Sequence, residues 1–238
     1  MEQIVVLNVK FQFGDTKDVI HPVILKDDKE MVLVDCGHTG FLPKIEEAIG
    51  AAGLNCNQLT KIVITHQDHD HIGALAAFKQ KYPNIQIIAS EIEAPYVAGK
   101  MKTIRLEQAE ALQKTLPEEQ KAFGNAFCEI LRNVEPAKVD LTVHDGDLFD
   151  WCGGCEIVAT PGHTPGHISL YLKNKKTMIT GDAAVLEDDR LVIANPQFTL
   201  DMESAEKSLS KILSYDADTF ICYHGGIYKR EISNPKNS

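Results

Sequence analysis

The chain has 238 residues, is 44% hydrophobic, and carries 24 Lys plus Arg against 34 Asp plus Glu, a net charge of −10. That length and composition suit a soluble globular protein with a substantial core. The acidic balance argues against a nucleic-acid-binding face, since even the Lys-rich stretch 90–140 holds seven basic and nine acidic side chains.

Met1 to Asn8 lacks both a basic start and a long apolar core, so it does not read as a signal peptide. No segment approaches the roughly 20 apolar residues of a membrane span. Residues 4–9, 19–25 and 31–35 read as short β-runs. Leu42, Ile45, Ala48, Ile49 and Ala52 recur at helical spacing, and Gly53 is placed to close that helix. A β-branched strand at 61–65 runs into a charged cluster, followed by an Ala- and Leu-rich helix over 71–82 that stops before Pro83. Residues 85–89 form the next strand.

Between 91 and 135, Glu, Gln, Lys and Ala predominate, which predicts two or three helices. The β pattern returns at 155–160, 167–172 and 177–180. Asp201 is placed to cap a helix whose inner face is Ala205, Leu209, Ile212 and Leu213. Residues 219–222 make a last strand. With no linker or low-complexity tract, 1–238 reads as a single α/β (α+β) domain with a helical insertion at about 91–135. Two mixed sheets packed together with helices outside satisfy this order. A parallel barrel needs more regular strand–helix alternation and ranks second.

Cys36, Cys56, Cys128, Cys152, Cys155 and Cys222 show no disulfide-framework spacing, which, with the absent signal, predicts a reducing, cytoplasmic setting. Cys152-Gly153-Gly154-Cys155 has no second pair to complete a four-cysteine zinc site and reads as a hairpin turn.

The chemistry lies at strand ends. In Thr65-His66-Gln67-Asp68-His69-Asp70-His71, five of seven residues can bind a metal, and imidazole plus carboxylate suits Zn²⁺ or another first-row ion. Thr160-Pro161-Gly162-His163-Thr164-Pro165-Gly166-His167 sets two histidines in a stiff loop. Thr180-Gly181-Asp182 and Tyr223-His224-Gly225-Gly226 each follow a later strand. Singly these are weak signals; in order, each at a strand end, they converge.

On these motifs the chain resembles the metallo-β-lactamase fold superfamily. Its His-x-His-x-Asp-His motif aligns with residues 66 to 71, its later single His, bridging Asp and final His with His163, Asp182 and His224, and its early Asp-x-Gly with Asp35. The resemblance spans about 35–224. It implies a four-layer αββα sandwich and two divalent ions, most simply zinc. His66, residue 68 and His163 would hold one ion, Asp70, His71 and His224 the other, and Asp182 both. A metal-bridging hydroxide would then attack a small-molecule ester, lactone or related bond, with Asp70 orienting it as well as binding metal. His167 and Asp35 would orient ligands by hydrogen bonding. For a general acid, Tyr96, Tyr223, His69 and His38 are available.

One position departs from the family: residue 68 is Asp where the motif has His. Three carboxylates make a harder site, more tolerant of Mn²⁺ or Fe²⁺ and with a less acidic water; alternatively the first position is weak and one metal suffices. Lactonase-like members match the length and the insertion, but 183–200 contains Phe198 and no Tyr where some of them place one. Glyoxalase-II-like thioesterases usually carry a C-terminal helical domain, whereas 14 residues follow His224 here. The implied partner is a small-molecule substrate, with no nucleic acid or membrane, and the insertion is also suited to a homodimer contact. A mononuclear iron dioxygenase of the same fold acting on a thiol or persulfide, and a catalytically impaired metal-binding module, remain the rivals.

Overall fold

Short, nearly continuous apolar runs, buried on both faces, build two sheets. The computed structural model describes residues 2–14 and 16–230. The N-terminal half supplies β1 (Gln3–Val6), β2 (Val9–Phe13), β3 (Thr16–Ile20), β4 (Val23–Lys26), β5 (Met31–Val34), β6 (Lys61–Ile64), β7 (Gln86–Ser90) and β8 (Leu141–Val143). The C-terminal half supplies β9 (Leu148–Phe149), β10 (Cys155–Ala159), β11 (Ile168–Leu172), β12 (Thr177–Gly181), β13 (Val185–Glu187), β14 (Arg190–Val192), β15 (Thr219–Cys222) and β16 (Gly226–Lys229). Two six-stranded sheets result, in the orders β1-β4-β5-β6-β7-β8 and β16-β15-β12-β11-β10-β9, while β2–β3 and β13–β14 are separate hairpins. Both sheets are mixed: β5 through β8 pair in parallel, as do β12 and β15.

Because successive side chains point to opposite faces, each sheet feeds two apolar layers. Val32, Val34, Val63 and Ile88 meet Ile157, Leu170, Ile179 and Ile221 between the sheets. Leu33, Ile62, Ile64 and Ile87 face outward onto Ile45 and Ile49 of α1 (Leu42–Ala51) and onto Leu75 and Phe78. Behind the second sheet, Met178 and Phe220 pack on Ile212. Helix, sheet, sheet and helix are thus the four layers expected of the sequence.

The helical elements after α1 are α2 (His69–Ile72), α3 (Leu75–Lys81), α4 (Ala94–Val97), α5 (Ile104–Gln113), α6 (Glu118–Arg132) and α7 (Met202–Ser214). The segment between β7 and β8 therefore holds three helices. Among the described residues, no helix is long and apolar enough to cross a membrane.

Several element boundaries differ from the sequence reading. The run 19–25 breaks at His21-Pro22, because proline cannot donate to a ladder and restricts the residue before it. The helix read over 71–82 is two helices, α2 and α3, interrupted at Gly73, whose position leaves no space for a side chain: a Cβ there would lie 2.2 Å from the Thr39 backbone nitrogen. Residues 219–222 are not the last strand, since β16 pairs antiparallel with β15. On α7, Ala205, Ser208 and Ile212 are the buried residues, whereas Leu213 is 38% exposed, one residue's rotation past the stripe. Asp201 caps this helix as expected, accepting from Ser204 N. Cys152 and Cys155 are free and buried, and the residues between β9 and β10 form a tight turn joining antiparallel strands.

Candidate metal centre

The ends of β5, β6, β12 and β15 and the loop joining β10 to β11 meet at one edge of the sandwich, and each delivers a polar residue there. All seven residues singled out as ligands come together. Their donor atoms fall into three groups, each within 4.8 Å: His66, Asp68 and His163; His66, His71 and Asp182; Asp70, His71 and His224. Asp182 lies between the halves, with one oxygen 3.4 Å from His71 Nε2 and the other 3.5 Å from His163 Nε2 and 3.7 Å from His224 Nε2. His224 Nε2 is 3.2 Å from Asp70 Oδ2, and His163 Nε2 is 3.1 Å from Asp68 Oδ2. Donor atoms sharing a tetrahedral ion at ~2.1 Å stand about 3.4 Å apart, so these spacings suit a metal.

Hydrogen bonding supports the same conclusion. His66 Nε2, His71 Nε2 and Asp182 Oδ1 are buried without a hydrogen-bond partner among the described residues, a costly arrangement unless a cation engages them. The opposite ring nitrogens are held by Asp35. This residue follows β5 with φ +60 and accepts from Thr65 N at 2.9 Å, Thr65 Oγ1 at 2.8 Å and His71 Nδ1 at 2.8 Å. A carboxylate only accepts, so His71 donates from Nδ1 and turns Nε2 to the cluster, where burial opposes its charge but Asp182, Asp35 and Asp70 prevail and hold its pKa well above the ordinary value. Thr65 spends its one hydroxyl proton on Asp35, so it accepts from His66 Nδ1 at 3.0 Å, and His66 Nε2 is left bare. One carboxylate thus orients two histidines of the cluster.

His167 stands outside the three donor groups. Its Nε2 accepts from the Asp182 backbone N–H at 2.9 Å, and its Nδ1 lies 2.8 Å from Thr160 Oγ1. Burial holds its pKa well below the ordinary value, so it stays neutral and fixes the turn that carries Asp182. That turn needs Gly181, at φ +52, where a Cβ would lie 2.7 Å from His167 Nε2.

The carboxylates are ionised. Burial works to raise Asp68, but the neighbouring His163 and His66 and the Arg105 charge outweigh it and hold the group well below the usual range. Asp70 is also held well below: burial opposes, and His71 and His224 prevail. His224 is pushed up to about 8, because Asp182 and Asp70 more than reverse the effect of its burial.

Three residues that the sequence reading passed over complete the site. Arg105, on α5, is 6% exposed and directs Nη2 (2.7 Å) and Nε (3.3 Å) at Asp68 Oδ2. Glu93 is fully buried and accepts from Gln67 N, Gln67 Nε2, Thr164 Oγ1 and Gly166 N at 2.8–3.0 Å, clipping the 66–71 loop to the 160–167 loop. Gln67 in turn accepts from Ile104 N at 2.8 Å, tying the start of α5 to the same loop. Nothing in the sequence marks Glu93 and Arg105 within a Glu- and Lys-rich stretch; the one signal was the surplus carboxylate at 68, which calls for a cation.

A cavity of about 500 Å³ opens over the centre, lined by Asp68, Asp70, His163, Asp182 and His224 with Arg105, Phe127 and Phe198 on one wall. The last three also border a second cavity of about 530 Å³ between α5 and α6, whose walls include Ala109, Leu112, Leu116 and Phe123. Of the four residues considered as general acids, His69 lines the first cavity, 3.5 Å from Asp70. Tyr223 is buried and donates to the Asp70 carbonyl at 2.6 Å, and His38 packs among Phe11, Phe13 and Phe41.

A two-sheet sandwich with a histidine–aspartate cluster on one edge is the scaffold of metal-dependent hydrolases. Residues 16–224 match the family model of the metallo-beta-lactamase superfamily, and the chain belongs to that superfamily. It is 29% identical over 181 residues to "Probable metallo-hydrolase YflN" of Bacillus subtilis, covering 71% of this chain and 65% of that protein. It is also 29% identical over 162 residues to "Hydroxyacylglutathione hydrolase GloC" of Haemophilus influenzae, covering 67% of this chain and 64% of that one. The matches thus span a little under two thirds of these relatives. A metallo-beta-lactamase family protein of Thermus thermophilus shares the fold, with a TM-score of 0.73 and 21% identity over 95% of this chain and 74% of that one.

Proposed function

We propose that the chain is a binuclear metal-dependent hydrolase acting on a small-molecule ester, thioester or lactone. The observation that carries this reading is the set of bare, buried imidazole and carboxylate atoms facing one another under an open cavity. His66, Asp68 and His163 would hold one ion, Asp70, His71 and His224 the other, and Asp182 would reach both. Bound divalent ions supply Lewis acidity and lower the pKa of water toward about 7. Asp70 directs a carboxylate at the cavity, where it orients the attacking water. His69, partly exposed on the same cavity, is placed to protonate a leaving group.

The thioester is included because GloC is named a hydroxyacylglutathione hydrolase. The apolar chamber beside the centre favours a substrate with an uncharged apolar portion over a wholly polar one. Elemental analysis followed by a panel of esters, thioesters, lactones and phosphodiesters on that same metal form tests the reading. Two divalent ions per chain are expected, with hydrolysis abolished by a chelator and restored by Zn²⁺ or Mn²⁺. A fully loaded protein inert across the panel would overturn it.

A further inference from the structure

We propose that Arg105 is the counter-ion that makes a carboxylate at position 68 workable in this centre, a positioning residue acting through Asp68. The inference rests on the reading of the cluster as a metal site. Asp68, Asp70 and Asp182 place three negative charges around the donor groups, one more than a set with His at 68. Arg105 adds one positive charge directly against the surplus carboxylate, both side chains being more than nine-tenths buried. Guanidinium keeps its charge at any working pH, so the compensation is permanent.

The pairing is built on several contacts. Two N–H groups of Arg105 converge on Oδ2 of Asp68, the oxygen that also faces His163 and His66. The guanidinium further donates to the Phe198 carbonyl at 2.7 Å and Gln108 Oε1 at 3.1 Å, and lies 5.2 Å from the Phe198 ring centroid. The neighbouring Gln67–Ile104 hydrogen bond holds the two chain segments in register, so residues 67 and 68 are clasped by 104 and 105. Occupied by Arg105, the Oδ2 of Asp68 donates less strongly to a metal, and the ligand behaves more like a neutral imidazole. Without a metal, Arg105 prevents Asp68 from being a buried, uncompensated charge.

These two effects fix the signs of the test. Replacing Arg105 destabilises the metal-free protein more than the loaded one, and by linkage that difference must appear as tighter metal binding. For Arg105→Met, the melting temperature of the metal-free protein should fall by roughly 6–15 °C, and that of the zinc-saturated protein by less than half as much. Zinc affinity by chelator competition should rise at least about tenfold. Arg105→Lys, which keeps the charge, should stay within about threefold of wild type. The double variant Asp68→His with Arg105→Met should recover the metal-free melting temperature.

Equal losses in metal-free and loaded protein, or weakened zinc binding in Arg105→Met, would reduce Arg105 to a packing residue and overturn the proposal. So would wild type binding one ion and Arg105→Met two, since Arg105 would then occupy the first position. If Arg105→Met does not fold, recovery in the double variant supports the proposal and failure of both refutes it. Absence of metal binding in every variant defeats the hydrolase reading as well, whereas unchanged zinc affinity in Arg105→Met defeats this inference alone.

Discussion

His71 and His163 each bring Nε2 within 3.5 Å of Asp182, yet different parts of the molecule hold them. His71 leans on the sheet edge: Asp35 grips its Nδ1, and the Tyr223 ring lies 4.0 Å from its own. The side chain of His163 lacks that support, since its Nδ1 is buried without a hydrogen-bond partner among the described residues. Its half of the centre is instead braced by the segment between β7 and β8, through Glu93 on the loop and Arg105 on Asp68. One half of the centre is therefore complete within the two-sheet framework, while the other depends on the insertion, the part of such folds free to vary in length and sequence. A carboxylate on the second kind of half can meet its opposite charge from that same segment, as Asp68 meets Arg105.

Glu93→Gln should break the asymmetry most directly. It puts an amide group where four donors converge on a carboxylate, so folding stability measured by denaturant should fall by about 2–4 kcal/mol. Bound metal should drop toward one ion per chain with the His71–His224 half retained. Loss of both ions together would show that the halves are not separately supported.

Asp35→Asn sharpens the comparison from the other side. Asparagine tolerates the positive φ, but it cannot accept from Thr65 and His71 as a carboxylate does. Because Thr65 relays Asp35 to His66, both halves should weaken, with metal affinity falling about 10–100-fold in a competition assay. A loss confined to one ion would break the relay.

The smallest effect belongs to His38, which sits outside the donor set among phenylalanines. Burial lowers its pKa to about 4, and its Nδ1 has no hydrogen-bond partner among the described residues. The folded state thus binds fewer protons than the unfolded one between pH 4 and 6.5. Stability is fully present above the unfolded value and is lost as pH falls through that window. With its partial exposure discounted, the loss should be roughly 1–2 kcal/mol. His38→Phe should flatten that part of the metal-free stability profile, and an unchanged slope would assign the acid sensitivity to other groups.

Much of the architecture was legible because it is written locally. An apolar β-branched run such as Met31-Val32-Leu33-Val34 marks a strand buried on both faces, and Asp201 states where α7 begins. Misreadings arose where local signals were silent or conflicted. The β13–β14 hairpin is a short, partly exposed pair with little apolar pattern, and Gly73 splits a helical run because the backbone of residues 38–39 passes too close for a side chain.

The sequence by itself determined which side chains gather at one place, since His66, Asp68, Asp70, His71, His163, Asp182 and His224 follow strand ends and one fold edge gathers such ends. Only the tertiary structure decided what surrounds those donors. Arg105 meets Asp68 across 37 residues of chain, and Glu93 meets Gly166 across 73. Such pairings follow from how the insertion folds back over the sheet edge, a packing outcome that no short-range pattern records.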